Sequence, residues 1–269
     1  MHDALHCEEA SMLELLQFRH SPYNEKVRWA LDIKQVPHQR RSLLPGPHMA
    51  TVKRLTGQTM TPVLLHDGEA LAGSAHIIDW LETHHAEPTL LPADPALRTE
   101  AMRIQAWFDD DLTPRIRRPV LEALLQQPGY FARIFADGAP LLKRLGYACA
   151  VPVAAGMVRK GNGITGAEAI EDGLRAGTEA LDFVAARGAA TGYLCGDRFS
   201  VADLTAASTL AVLIRPDDSP MSCPQPVARG FRQLMDRYAD HPGAAWVRSI
   251  YRRHRGVRRD FDGASAPAA

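Results

Sequence analysis

The stretch LELLQFRHSPYNEKVRWALDI, residues 13–33, places an apolar run, a break and a helical pattern in immediate succession. The apolar run extends from Leu13 to Phe18, and His20-Ser21-Pro22 interrupts it. After the break, apolar residues recur at helical spacing from Val27 to Leu31. Proline is favoured in the first turn of a helix, and a serine just before it is a favoured capping residue. The stretch therefore predicts a strand, a turn and a helix.

A hairpin and a further helix follow. The run Thr61-Pro62-Val63-Leu64-Leu65 precedes a turn at residues 66–69 and a short apolar segment at residues 70–72, which together predict a small β-hairpin. Gly73-Ser74 then opens a helical pattern that ends near His84-His85. This part of the chain is therefore predicted to be mixed α/β.

The segment EPTLLP, residues 87–92, is rich in turn formers and separates the mixed region from one without a convincing strand. We therefore predict two domains, residues 1–87 and residues 93–269, the second all-helical. Ser200 and Asp203 have the spacing of a capping box before a nearly uncharged helix, which we expect to be buried. The apolar run Ala148–Val158 is too short to span a bilayer. The basic run at residues 252–255 is predicted to be a solvated helix face.

Composition narrows the function classes. The 269 residues are 46% hydrophobic and 23% charged, and acidic and basic residues both number 31. Zero net charge favours neither nucleic acid nor an anionic membrane as a partner. Four scattered cysteines, and a start at residues 1–10 unlike a secretory signal, favour a cytoplasmic protein. The run Asp109-Asp110-Asp111 is predicted to be solvated and not a metal site, because consecutive helical residues point in different directions.

One motif has the spacing of a nucleotide-binding loop. Gly161-Asn162-Gly163-Ile164-Thr165-Gly166 matches G-x-G-x-x-G, and Asp182 falls near the position of a ribose-binding acid. The preceding stretch contains Pro152 and Gly156, and no parallel strand follows. Thr165 and Glu168 already account for a helix start. We therefore expect no nucleotide cofactor.

The order of these motifs resembles the glutathione transferase family. The first helix, Thr61-Pro62, Gly73-Ser74 and the segment LCGDRFSVAD, residues 194–203, carry the likeness, which extends over roughly residues 13–255. The resemblance implies a thioredoxin-like α/β domain followed by an all-α domain, with glutathione as co-substrate. It also implies a homodimer that acts on a small-molecule electrophile without a metal.

The resemblance assigns glutathione contacts to the first domain. A cis Pro62 would leave the backbone N–H and C=O of Thr61 free to pair with the glutathione backbone. Ser74, where a helix begins, would hold the γ-glutamyl carboxylate. Two residues depart from the family pattern. Gly73 replaces a common acidic residue, and Met60 stands where many members have a basic one.

Ser21 is the predicted activating residue. A free thiol has a pKa of about 8.5, so a hydroxyl donor at a helix N-terminus would favour the thiolate of glutathione. Tyr23 and Asn24 are neighbouring alternatives, and His20 is a further polar contact. Because Ser21 is not cysteine, thiol-transferase chemistry is disfavoured.

The apolar electrophile is expected between the domains, near Trp107, Phe108 and Leu112. The predicted reaction is attack of the thiolate on electrophilic carbon, or reduction of a peroxide. The long stretch from Pro114 to Gly166 is expected to cover or reshape this pocket. The alternative function is a glutathione-transferase-like binding or regulatory protein without catalysis, which Gly73 and Met60 favour.

Overall fold

The computed structural model describes residues 12–256 and the backbone of residues 260–262. The strands are β1 Leu13–Gln17, β2 His38–Ser42, β3 Val63–His66, β4 Glu69–Ala72 and β5 Asp260–Asp262. The first helices are α1 Pro22–Ile33, α2 His48–Thr56, α3 Ser74–His84, α4 Pro95–Trp107, α5 Thr113–Leu125 and α6 Pro128–Phe135, and a π-helical turn, Phe108–Leu112, joins α4 to α5. The others are α7 Leu141–Gly161, α8 Ala167–Arg187, α9 Val201–Ile214, α10 Arg229–Asp236 and α11 Pro242–His254.

The strands form one mixed sheet in the order β4-β3-β1-β2-β5. β1 and β2 are parallel and are joined by α1, because a parallel pair needs a crossover connection. β3 and β4 form the predicted antiparallel hairpin. Leu15 and Leu16 in β1 are fully buried, as the apolar run predicts. The α/β domain followed by a helical region is confirmed.

Helix α9 forms the centre of the helical region. All of its residues are buried, and it packs against α1, α4, α8 and α11. Its predicted capping box is present: the carboxylate of Asp203 accepts the backbone N–H of Ser200 at 2.9 Å and that of Leu194 at 2.8 Å. A helix that is apolar on most of its faces is stable only where other elements cover those faces, and the central position of α9 provides this burial.

A buried ionic cluster joins the end of α11 to α1. Arg255 is 2% exposed; its Nε donates to Glu25 at 2.7 Å, and its Nη1 donates to Asp32 at 2.8 Å. Arg28 and Arg40 pair with the same two carboxylates. The expectation that residues 252–255 form only a solvated face is therefore wrong for Arg255, because α1 supplies two buried acidic partners. This cluster therefore links α1 of the α/β domain to the end of the helical region.

The acidic run at the π-turn is also not wholly solvated. The side chain of Asp109 is 13% exposed and forms an ion pair with the buried ammonium group of Lys26 in α1. A π-turn displaces helical hydrogen bonding, which frees carbonyl groups for outside donors. The turn therefore contacts α1 through this buried ion pair.

Helix α7 differs most from expectation. It runs for 21 residues, longer than the apolar run seen in the sequence, and is long and apolar enough to cross a membrane by length and composition alone. Its mean hydropathy is 1.3 over the most apolar window, of which only 11% is buried. It packs against α5 and α6 along one side. Most of the helix is therefore a surface element.

The chain returns to the sheet after α11. β5 pairs in parallel with β2, through the backbone of His38↔Asp260 to Arg40↔Asp262. The region predicted to be all-helical thus also contributes a strand, because the edge of β2 offers unpaired backbone groups. The domain limits, residues 1–87 and 93–269, stay a prediction, and residues 1–11, 257–259 and 263–269 lie outside the described part.

Candidate active site

Ser21 is the N-cap of α1, and its backbone is extended, with φ −99° and ψ 131°. Its half-buried side chain makes no capping hydrogen bond, unlike the usual N-cap serine. Pro22 occupies the first helical turn, where its missing N–H costs nothing. The Ser21 hydroxyl is therefore available to a ligand at the positive end of the α1 dipole.

The Thr61-Pro62 peptide bond is cis, the form that the family resemblance requires for a free Thr61 backbone. Among the described residues, no backbone hydrogen bond uses the N–H or C=O of Thr61. The side chain of Asn24, fully buried in α1, donates from Nδ2 to the hydroxyl of Thr61 at 3.1 Å. This bond fixes the Thr61 segment against the helix that begins at Ser21.

The start of α3 lies at the other end of the same segment. The N–H of Gly73 donates to the carbonyl of Pro62 at 3.1 Å. Gly73 has φ +94°, a conformation that L side chains rarely adopt, which explains a glycine where an acidic residue is common in the resembled family. Ser74 is 6% exposed at the first position of α3, where backbone N–H groups have no helical partner. An anion can bind there.

The neighbouring candidates are already engaged. The hydroxyl of Tyr23 donates to the carbonyl of Asp109 in the π-turn at 2.7 Å. Burial raises the pKa of Tyr23 to about 12, so the phenol stays protonated near neutral pH. The Nδ2 of Asn24 is engaged by Thr61, whereas its buried Oδ1 has no partner among the described residues. Of the three side chains at the start of α1, Ser21 alone has no hydrogen bond to another described residue.

His20 connects this region to the helical domain. Its Nδ1 lies 3.3 Å from Nη1 of Arg215, which follows α9. Burial, and then the charge of Arg215, holds the pKa of His20 well below its ordinary value. The ring is therefore neutral near pH 7, and its Nδ1 can accept the guanidinium N–H. The sequence patterns did not identify Arg215 as a candidate. The signal for it is a basic residue directly after a nearly uncharged helix.

The insertion α6–α7 lies beside this region. The ring of Phe135 in α6 packs edge-on against His20, with centroids 6.2 Å apart, and against Phe18 at 6.5 Å. Arg19 forms an ion pair with Asp137 at 3.2 Å. Phe135 is half-buried. The predicted covering role of residues 114–166 thus has contacts to support it, from residues that the sequence did not single out.

The predicted electrophile residues lie elsewhere. Phe108 and Leu112 are fully buried, because the π-turn that carries them packs against α8 and α9. Neither presents a surface to an open pocket, which corrects their expected role. Trp107 is half-buried and packs against Phe183 of α8, with ring centroids 5.0 Å apart. Met60 is 72% exposed beside Thr61 and offers no charge to a ligand.

Arg215 also borders a cavity of about 390 Å³ at the end of α9. Its Nε is buried without a partner, as is the hydroxyl of Tyr130 in α6. Burial raises the pKa of Tyr130, so that its hydroxyl stays a donor. Cys223 lines the same cavity. The unpaired Nε of Arg215 therefore belongs to a residue that lines this cavity.

Two motifs from the sequence, the possible metal ligands and the glycine-rich run, have defined positions among residues 12–256. In that part of the chain, no three His, Cys, Asp or Glu side chains come together as metal ligands would. The glycine-rich run leads from α7 into α8, which follows no strand. The N-cap of α8 is Gly166, and no side chain caps it, so Thr165 does not act as predicted.

Comparison with known families gives two matches. The model of the glutathione S-transferase N-terminal domain matches residues 15–89, and that of the glutathione S-transferase C-terminal domain matches residues 167–241. Together these matches cover more than half of the chain. The first includes Ser21, Thr61, Pro62 and Ser74.

Individual proteins agree with these matches. Maleylpyruvate isomerase from Ralstonia sp. is 32% identical over 42% of this chain and 54% of its own length. In this and similar matches the chain spans about half the length of the relative. FtsZ-localized protein A from Caulobacter vibrioides is 24% identical over 85% of this chain and 89% of its own length. A glutathione S-transferase structure from Rhodospirillum rubrum shares the fold, with TM-score 0.58, 23% identity and coverage of 89% of this chain and 86% of its own.

Proposed function

Because this chain belongs to the glutathione S-transferase family, we propose that it binds glutathione beside cis-Pro62 and activates the thiol at Ser21. The observation that carries the proposal is the linkage of three ligand-binding features. The Asn24–Thr61 hydrogen bond ties the start of α1 to the free backbone of Thr61, and the Gly73–Pro62 hydrogen bond ties that segment to the start of α3. One extended tripeptide can contact all three.

The chemistry follows from the groups at these positions. The backbone of glutathione would pair with Thr61, and its γ-glutamyl carboxylate would accept N–H groups at Ser74. The Ser21 hydroxyl would donate to the sulfur, while the α1 dipole favours its negative charge. The thiol proton passes to solvent, and the thiolate forms a bond to an electrophilic carbon. In transfer, the thiolate displaces a leaving group from this carbon. In isomerisation, the thiolate adds to a double bond, and the carbon–sulfur bond then breaks to release glutathione. Reduction of a peroxide is a third outcome, in which the thiolate attacks a peroxide oxygen and releases an alcohol. A second glutathione then converts the resulting sulfenic acid to glutathione disulfide and water.

The electrophile site proposed here differs from the one expected at Phe108 and Leu112. Phe135 and Phe18 place an aromatic surface beside His20, one residue from Ser21. Arg215 of the helical region supplies a positive charge 3.3 Å from His20. This combination suits a small electrophile with an apolar body and an anionic group. A cytoplasmic homodimer agrees with family membership and with the scattered cysteines.

Glutathione binding and conjugation can be measured separately. Isothermal titration of the protein with glutathione should show one site per chain, and S-methylglutathione should bind as well because its backbone contacts are the same. Conjugation of glutathione to a generic aromatic electrophile should be faster than the uncatalysed reaction. The proposal of an enzyme fails if glutathione binds and no conjugation, isomerase or peroxidase activity is found.

A second candidate function is binding without catalysis. The relative that aligns over most of both chains is FtsZ-localized protein A, whose name describes location and not a reaction. Exposed Met60 and the small Gly73 leave two family ligand contacts unfilled. This candidate predicts weak or no binding of glutathione in the same titration, and no conjugation, isomerase or peroxidase activity whether or not glutathione binds.

A further inference from the structure

A row of exposed apolar side chains follows one face of α7. Among the described residues, five of the nine exposed large hydrophobic side chains belong to this helix. Leu142 is 83% exposed, Leu145 53%, Val153 85% and Met157 70%. At 100° per residue these positions fall within an arc of roughly 120°. Exposed Cys149 lies in the same arc. We call these five residues the α7 apolar row.

The opposite side of α7 is held by the fold. Val151 and Ala155 are buried. The hydroxyl of Tyr147 donates to the carbonyl of Pro45 at 2.9 Å, and Arg159 pairs with Glu122 of α5 at 2.8 Å. Because it is attached along its length, α7 can lie on a surface but is not free to cross one. A contiguous apolar row of roughly 22 Å, at 1.5 Å per residue, is unusual on a monomer without a partner.

The charges on α7 favour an anionic partner. Lys143 and Arg144 lie at one end of the row and Arg159 and Lys160 at the other, and Leu141–Gly161 contains no Asp or Glu. Because Arg159 is already paired with Glu122, the positive charge open to a partner comes from Lys143, Arg144 and Lys160. Two copies that paired along this row would bring cationic ends together in either direction, which disfavours a second copy of the chain. The exposed apolar row and the cations near its two ends supply the two attractions that hold a helix in a membrane interface, which are burial of apolar surface and attraction to anionic lipid.

We infer that α7 docks the protein on an anionic lipid surface, with the α7 apolar row among the acyl chains and the lysines at the headgroups. Attraction between the lysines and anionic lipid would bring the helix to the surface, and burial of the row would hold it there. The sequence alone did not indicate this partner, because the zero net charge of the chain hides four local cations. The inference does not depend on glutathione chemistry.

Sedimentation with lipid vesicles tests the inference on the full chain under reducing conditions. Vesicles of phosphatidylcholine with a minority of phosphatidylglycerol should bind the protein, pure phosphatidylcholine should bind it far less, and added salt should weaken the binding. The double variant Leu142→Glu/Val153→Glu should bind about tenfold more weakly or worse. Lys143→Gln/Lys160→Gln should also weaken binding, by lowering the attraction to phosphatidylglycerol. Met12→Glu, which changes an apolar side chain that is 54% exposed outside α7, is the matched control and should bind as wild type.

Each variant should keep the wild-type melting curve, which excludes unfolding as the cause. Failure of the wild type to bind phosphatidylglycerol vesicles overturns the inference. Equal binding to neutral vesicles overturns it as well, because the lysines would then contribute nothing. If the wild type binds no vesicles and Leu142→Glu/Val153→Glu converts a dimer to a monomer, a second copy covers the row instead.

Discussion

Removal of the Ser21 hydroxyl tests the proposed chemistry most directly. In Ser21→Ala the side chain loses its only donor, and the protein loses no internal hydrogen bond, because this hydroxyl makes no capping contact. The melting temperature should therefore change little, as for an exposed substitution of about 0.5 kcal/mol or less. Any large effect on the reaction would then come from the ligand and not from the fold.

The expected effect on activity follows from the hydrogen bond to sulfur. A hydrogen bond to a charged group contributes about 1.5–3 kcal/mol, and about 1.4 kcal/mol corresponds to one tenfold step. Ser21→Ala should raise the pKa of bound glutathione by about one to two units and lower kcat/KM near neutral pH by roughly 10–100-fold. The deficit should shrink at high pH, where the thiol ionises without help. Binding of S-methylglutathione should be unchanged.

The assay is the pH dependence of kcat/KM for conjugation, together with the ultraviolet absorbance of the bound thiolate. Ser21→Thr, which keeps a hydroxyl, should recover most of the rate. Tyr23→Phe is the matched control for loss of a hydroxyl, because the Tyr23 hydroxyl is engaged by Asp109. An unchanged rate in Ser21→Ala with normal glutathione binding would refute the role of Ser21. Loss of the thiolate signal in Tyr23→Phe would transfer that role to the tyrosine.

Three further predictions address the supports of the site. Asn24→Ala and Thr61→Val each break the same 3.1 Å hydrogen bond, so each should raise the KM for glutathione by roughly 3–10-fold with little change in kcat. The double variant should have a KM no higher than that of either single variant. Additive increases in KM would contradict a shared contact. Arg255→Met removes one ion-pair partner of the buried Glu25 carboxylate. In urea titrations it should lower the free energy of unfolding by about 3 kcal/mol. A decrease below about 1 kcal/mol would mean that the ion pair contributes little to stability. Burial raises the pKa of Asp203 to about 6, above its unfolded value, so its contribution to stability is largest in acid and falls as the pH rises from about 4 through 6. A carboxyl ¹³C titration, assigned with Asp203→Asn, should show this midpoint, and a midpoint near 4 would exclude it.

Local sequence patterns predicted the parts of the site that depend on short-range chemistry. The break at Ser21-Pro22 follows from proline geometry, and the helix start at Gly73-Ser74 follows from a turn-forming glycine; both effects act within a few residues. The buried capping box at Ser200 and Asp203 follows from the same local rules. These features could be predicted because the residues that decide them are close together in the sequence.

Contacts between distant parts of the chain could not be read in this way. The engagement of Tyr23 by the π-turn is a contact over 86 positions, and the contact of Arg215 with His20 spans 195. The two predicted electrophile residues, Phe108 and Leu112, have the composition of a pocket wall. Only the packing of the π-turn against α8 and α9 shows that they are core residues.

The sequence by itself determined the family fold, the order of its elements and the residue types at the start of α1 and α3. The tertiary structure alone decided which of the neighbouring hydroxyl groups is free, which arginines are buried and which face of α7 is exposed. The physical reason is that helix and turn formation depend on neighbours in the chain, whereas burial and ion pairing depend on which surfaces the fold brings together.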